Sequence, residues 1–281
     1  MTLLLGMSKP EGIYLCADYR VINSVTGQVL DDAATKCLTI HYPPFPGGTK
    51  ALLAFTGIAV LPDGTPTMTW IRETLRGEAE YPDQSLTHLR FRLNRDYARL
   101  RQPLIINILA LHENRRFFGG ISNLWLNTAR NSLKVIPEFL YEMREIEASF
   151  FFANGGAAAK AMADEKLAKL RSLLDTVPRA VLDHMRLMAI INRRVAARES
   201  SVSSFCKVSF INGDERFSPT SHAFTERGET VPFEMPFILG GLDLTEMTKQ
   251  FANRFEILRQ GGEPPPGPDA EEINRQTRRR P

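Results

Sequence analysis

Thr2 is the residue in this chain whose type and place carry the clearest chemistry. It follows Met1, and a small second residue is what a methionine aminopeptidase accepts, so excision would leave a threonine with a free α-amine. Such a residue holds nucleophile and base together. The hydroxyl attacks a carbonyl, and the amine, with a reference pKa of about 7.7 to 8.0, accepts the hydroxyl proton. No histidine is needed. The five histidines, His41, His88, His112, His184 and His222, are scattered without metal-ligand spacing. No Gly-x-Ser-x-Gly elbow and no phosphate-cradling glycine loop is present. Met-Thr is also an ordinary start for a chain, so Thr2 gains meaning only from the elements around it.

Those elements begin with two apolar runs, Thr2 to Leu5 and Gly12 to Ala17, separated by Gly6-Met7-Ser8-Lys9-Pro10-Glu11. Gly and Pro bound the runs, which predicts paired strands joined by a turn. Asp18 and Arg20 fall where the second strand ends. A polar turn at Thr26-Gly27-Gln28 precedes a third segment, Asp31 to Ile40, which carries Lys36. A fourth, Ala51 to Ile58, leads through Gly57 into an amphipathic pattern.

In this order the chain resembles the proteasome β-subunit family of N-terminal-nucleophile hydrolases. The family opens on a strand with the nucleophilic threonine, then a strand ending Ala-Asp-x-Arg, a lysine, and a glycine turn at a strand end. The resemblance implies that Thr2 is the nucleophile, that Asp18 holds Lys36, and that Lys36 lowers the pKa of amine and hydroxyl. It also implies that the Gly57 N–H forms the oxyanion hole. The physics suits these types: a nearby cation favours deprotonation, and a rigid backbone donor stabilises developing oxyanion charge by about 3 to 4 kcal/mol. Two positions depart from the family pattern. Where a turn serine is usual stands Asn154-Gly155-Gly156, with Asn154 a substitute that cannot shuttle a proton. Where Arg-Asp-x-x-Ser is usual stands Arg198-Glu199-Ser200-Ser201-Val202-Ser203, so Glu199 and Ser203 fill the acid and serine places, or the stretch is a plain helix end and loop.

The remaining pattern alternates as the resemblance requires. Helical periodicity marks 68–75 and 86–100, strands 103–112 and 116–122, a strand 146–153, helices 157–174 and 178–198, and a strand 205–211. The implied fold is α+β, a four-layer αββα sandwich with two antiparallel sheets between helical layers. At 281 residues the chain can bury one core, expected over residues 1–260, with a Pro/Arg-rich tail at 261–281 expected to be disordered. The segment 116–147 exceeds a simple hairpin and suits a lid or subunit contact.

With 35 basic against 32 acidic residues, the formal charge of +3 makes no case for nucleic acid. Cys16, Cys37 and Cys206 lack pair spacing and read as reduced, buried residues of a cytoplasmic protein. The opening apolar run is too short for a signal peptide, and no stretch approaches the roughly 20 apolar residues of a membrane span. No cofactor and no metal is implied. Two readings stay open. One is a threonine hydrolase of amide bonds, with a peptide or other amide substrate and homo-oligomeric by analogy. The other is the same fold serving as a degenerate assembly or binding module. The Asp18/Lys36 pair points to the first, and the missing turn serine to the second.

Overall fold

The computed structural model describes residues 2–23, 26–42, 48–77, 82–113, 115–127, 132–176, 180–213, 219–230, 237–260 and 262. The expected tail at 261–281 lies outside them, Gly262 apart. In chain order the elements begin with β1 (Leu4–Lys9), β2 (Gly12–Asp18), β3 (Val21–Ile22), β4 (Val29–Asp31), β5 (Cys37–His41) and β6 (Lys50–Gly57). Helices α1 (Thr67–Leu75) and α2 (Pro82–Tyr97) precede β7 (Leu104–His112), β8 (Arg115–Asn127), β9 (Ser132–Ile146) and β10 (Phe150–Asn154). Helices α3 (Ala158–Ala163), α4 (Glu165–Thr176) and α5 (Val181–Ala196) follow. The chain continues through β11 (Cys206–Asn212), β12 (Thr220–Thr225), β13 (Gly228–Thr230), β14 (Phe237–Leu239), β15 (Leu242–Asp243) and α6 (Leu244–Arg259).

A six-stranded sheet runs β10-β1-β2-β11-β12-β13, a seven-stranded sheet runs β15-β14-β5-β6-β7-β8-β9, and β3 pairs β4 alone. Every residue of β1 and β2 is buried, which is why β2 reads as a nearly unbroken apolar run; β1 continues through Ser8 and Lys9, so the turn expected over 6–11 is confined to Pro10 and Glu11. Apolar side chains gather in three clusters. Leu53, Trp70, Leu89 and Ile106 join the seven-stranded sheet to α1 and α2. Leu4, Leu15, Leu52 and Leu109 fill the space where the two large sheets meet. Leu5, Met7, Met188 and Val208 join the six-stranded sheet to the later helices.

The expected four-layer αββα sandwich of two antiparallel sheets is corrected. The chain is sheet-rich, with three mostly antiparallel sheets and no clear four-layer stack. A parallel pairing of β14 with β5 sits inside the larger sheet. The elements behind the difference are short or exposed: β3–β4, β12–β13, β14–β15, and the long β8–β9 ribbon that occupies the proposed lid segment. None buries both faces, and of their strands the expected pattern marked only 116–122, the first part of β8. The helix expected at 157–174 is broken at Asp164 into α3 and α4.

Among the described residues no helix is long and apolar enough to cross a membrane, and no group of His, Cys, Asp and Glu is placed to hold a metal. The three cysteines are free and buried.

Asp243 locks the C-terminal region to α1. Its Oδ2 accepts from Arg72 and Arg76, each at 2.9 Å, and its Oδ1 accepts the Thr245 N–H at 3.0 Å, capping α6. Burial pushes its carboxyl up, but the two arginines hold it below the usual value of 3.8. Asp243→Ala is expected to cost about 3–5 kcal/mol, because two half-buried cations lose their partner. Because the folded pKa is lowered, wild-type Asp243 contributes in full above its unfolded pKa. That contribution fades only as pH falls toward the lower folded value. Denaturant titrations of wild type and variant from pH 7 to pH 2 should therefore converge at the acid end.

Candidate active site

Thr2 sits just before β1 and is buried. Lys36 precedes β5, and its carbonyl accepts the Phe55 N–H of β6 at 3.3 Å, so the backbone that aims the lysine is tied to the seven-stranded sheet. Asp18 ends β2, next to β1 on one side and opposite Cys206 of β11 on the other. These three elements converge. Lys36 Nζ lies 3.2 Å from Thr2 Oγ1 and 3.2 Å from Asp18 Oδ1, and also donates to the Arg20 carbonyl. The Lys36 and Asp18 side chains are 1% and 0% exposed.

Asp18 does more than pair with Lys36. Its Oδ1 accepts the Leu3 N–H at 3.0 Å, and its Oδ2 accepts the N–H groups of Arg20 at 3.0 Å and Ser203 at 3.3 Å. The residue after Thr2 is thereby pinned to the carboxylate that holds the lysine. Burial pushes the Asp18 carboxyl up from its ordinary range, against the pull of Lys36 and of these donors. Burial likewise pushes the Lys36 ammonium down, against Asp18. A desolvated ammonium beside a hydroxyl favours the alkoxide and depresses the pKa of an adjacent amine.

Arg20 forms a clamp that sequence reading left without a role. Its guanidinium takes Asp32 by two bonds, at 2.7 and 2.9 Å, and donates to the Ser200 carbonyl at 2.8 Å. It thereby holds the 200–203 loop against the end of β2. Asp32 had no distinguishing signal in its polar turn.

Gly57 and Gly155 bring backbone close to the site. Gly57 has φ +101°, and a Cβ there would fall 1.9 Å from the Pro103 carbonyl oxygen, so only glycine fits. Gly155, φ +96°, lies so flat on the Thr2 peptide that a Cβ would meet the Thr2 carbonyl oxygen at 2.1 Å. The same Cβ would sit 3.4 Å from the Thr56 methyl, which places the end of β6, and so Gly57, beside Thr2.

The remaining expected residues turn elsewhere. Asn154 donates to Asn107 Oδ1 at 2.7 Å and accepts the Gly155 N–H at 2.6 Å, with no bond to Thr2. Glu199 pairs with Lys160 and accepts from Ser201 Oγ at 2.7 Å. Those bonds lower its carboxyl to about 2, and it orders the loop from outside. The Ser203 hydroxyl accepts the Phe205 N–H at 3.1 Å, and only its backbone reaches Asp18. Asn107 was missed, although a lone polar residue within Leu-Ile-Ile-Asn-Ile-Leu-Ala-Leu was a usable signal.

No protein-family model and no curated protein sequence matches the chain. Solved structures do. A mutant Anbu from Hyphomicrobium sp. strain MC1 is similar with TM-score 0.51 at 12% identity, over 93% of this chain and 96% of that one. The Anbu complex from Pseudomonas aeruginosa, solved as a helical assembly, is similar with TM-score 0.51 at 11% identity, over 94% and 98%. Anbu is an ancestral proteasome β-subunit-like protein. At such identity the likeness shows a proteasome-related fold. The assignment to the proteasome β-subunit hydrolase family is corrected accordingly: what is shared is the Anbu-like fold, with no match at the level of family sequence.

Two substitutions test the arrangement without any assay of activity. Lys36→Ala is expected to cost about 3–5 kcal/mol at neutral pH by stranding a buried carboxylate. The deficit should shrink as pH falls, because the raised Asp18 carboxyl then takes a proton and the uncompensated charge disappears. Gly155→Ala should cost about 1–3 kcal/mol from its positive φ, and more where the Thr2 peptide cannot move away. Urea denaturation at pH 7 and pH 5 reads both.

Proposed function

We propose that this chain is a threonine hydrolase of amide bonds, with peptides the favoured substrate class, once Thr2 carries a free α-amine. The observation that supports it is Lys36 Nζ at 3.2 Å from both Thr2 Oγ1 and Asp18 Oδ1, in a buried setting. In this reading the Thr2 amine takes the hydroxyl proton as Oγ1 adds to the substrate carbonyl carbon. The Gly57 N–H holds the oxyanion. The protonated amine then gives its proton to the leaving nitrogen, and the C–N bond breaks to leave an ester on Thr2. Water, deprotonated by the amine, adds to the ester carbon, and collapse returns the threonine hydroxyl and a carboxylic acid. Lys36 keeps its proton throughout and acts by its charge. The three unpaired thiols suit a reducing compartment such as the cytoplasm. The helical assembly of the Pseudomonas Anbu complex favours a homo-oligomer here.

A second reading is an assembly or binding module of the same fold with a degenerate site. Its support is that Asn154, Glu199 and the Ser203 hydroxyl all turn away from Thr2. The intact mass of purified protein separates the two at once, since retained Met1 blocks the amine. With Met1 gone, Thr2→Ala should lower hydrolysis on the order of a thousandfold or more, with some loss in the thermal midpoint because the buried Lys36 ammonium loses an acceptor. A β-lactone should add its mass to the first peptide alone. Label on another residue, or undiminished activity in the variant, would place the chemistry elsewhere.

The pH profile gives an independent check. The rate should rise as the Thr2 amine loses its proton, and fall again as Lys36 loses its own. Burial lowers Lys36 from 10.5, so the alkaline limb should begin below that value. Lys36→Arg should remain folded but inactive, because a planar fork cannot replace a compact ammonium.

A further inference from the structure

The proposed catalytic groups are divided between two sheets. Thr2 leads into β1 of the six-stranded sheet, whereas Gly57 ends β6 of the seven-stranded sheet, and the Lys36 carbonyl is bonded to β6 through Phe55. Where the two sheets meet, the contact is apolar along Leu4, Leu15, Leu52, Ala54, Leu109 and Leu111. Apolar contact is non-directional and tolerates small slides. The Lys36 bonds to Thr2 and Asp18 supply one directional link between the sheets, and a second one fixes the register beside them.

Asn107 is placed to do this. It lies in β7 opposite Ala54 of β6 and Gly120 of β8, on the face that turns toward the other sheet. It is 3% exposed. Its Oδ1 accepts Asn154 Nδ2 at 2.7 Å, across to β10 of the six-stranded sheet. Asn154 Oδ1 in turn accepts the Gly155 N–H at 2.6 Å. The Gly155 N–H requires an acceptor, so it fixes which way the Asn154 amide faces, and Asn154 then fixes the Asn107 amide. The Asn107 Nδ2 is buried with no acceptor among the described residues. A buried amide that leaves a donor unused is costly to keep, so its retained bond is the one to explain. The far end of the chain is Gly155, whose backbone lies flat on the Thr2 carbonyl.

We infer that Asn107 is a positioning residue that, through Asn154, holds the Gly155 turn and with it Thr2 in register with Gly57. The inference rests on the hydrolase reading of Thr2 for its catalytic consequence, but not for the bond itself. Misplacing a reacting group by about 1 Å costs on the order of a hundredfold in rate. Asn107→Leu, which removes the acceptor at similar volume, should therefore lower kcat about 10- to 100-fold with KM within about twofold. Asn107→Asp keeps an acceptor and should recover most of the rate. Asn154→Ala, made at the less buried end of the pair, should match Asn107→Leu, and the double variant should be no worse than either. Amide hydrogen exchange at Gly155 should quicken in Asn107→Leu and Asn154→Ala and stay slow in Asn107→Asp.

An unchanged kcat in a folded Asn107→Leu or Asn154→Ala variant would overturn the inference. So would additive losses in the double variant, or Gly155 exchange that does not respond. If Asn107→Leu does not fold, Asn154→Ala carries both readouts. If wild type is not labelled at Thr2 by a β-lactone, the hydrolase reading fails on its own. Gly155 exchange then decides whether Asn107 holds the turn.

Discussion

A lysine ammonium removed from water is the constraint around which this structure is arranged. Taking it and the Asp18 carboxylate out of solvent costs several kcal/mol per ion even after relaxation, and the directions of both pKa shifts show burial outweighing mutual attraction. Such a pair is poor evidence for stability. It persists because the surroundings over-determine it: Asp18 is held by three backbone N–H groups, and Lys36 donates to three oxygens from Thr2, Asp18 and Arg20. Ionisable groups shifted by desolvation and by a specific partner are concentrated at functional sites. The nucleophile candidate lies within hydrogen-bond reach of this one.

The outer bonds make sense as support for that pair. Arg20 contributes its carbonyl to Lys36 and its N–H to Asp18, while its guanidinium grips Asp32 and the Ser200 carbonyl. Glu199 keeps the same loop in shape through Ser201 and Lys160. Its low carboxyl pKa means that this outer bond survives wherever the inner pair does. One loop thus delivers the Ser203 N–H to the buried carboxylate, although neither the Ser203 hydroxyl nor the Glu199 carboxylate reaches the centre.

That Thr2, Asp18 and Lys36 gather with the end of β6 was legible as a candidate grouping, because each lies at a strand end and strand ends are marked by where apolar runs stop. Asn154, Glu199 and Ser203 were proposed by place along the chain, and the bonds of all three side chains go to groups other than Thr2. Their side-chain directions follow from partners that linear order does not reveal: Asn107 on another sheet, Lys160 on another helix, Phe205 two residues on. The fold divides in the same way. Strands buried on both faces, such as β2, β6 and β7, were plain, while the parallel pairing of β14 with β5 and the pairing of β9 with β8 leave no such pattern. Even the asparagine in the middle of β7, visible as a break in an apolar run, gains meaning only once β10 lies across from it.

The three thiols complete the electrostatic argument. Cys16 and Cys206 flank Asp18 along and across its strands, and Cys37 follows Lys36 directly. Burial pushes Cys37 up to about 12, and its bond with Cys206, with burial behind it, holds Cys16 well above its usual value, so both stay neutral wherever the lysine is charged. A hydroxyl or carboxamide at these places would offer competing dipoles and draw the ammonium off Thr2. Small thiols let the strands pack closely beside the pair without adding a charge, and the lysine keeps its three oxygen partners.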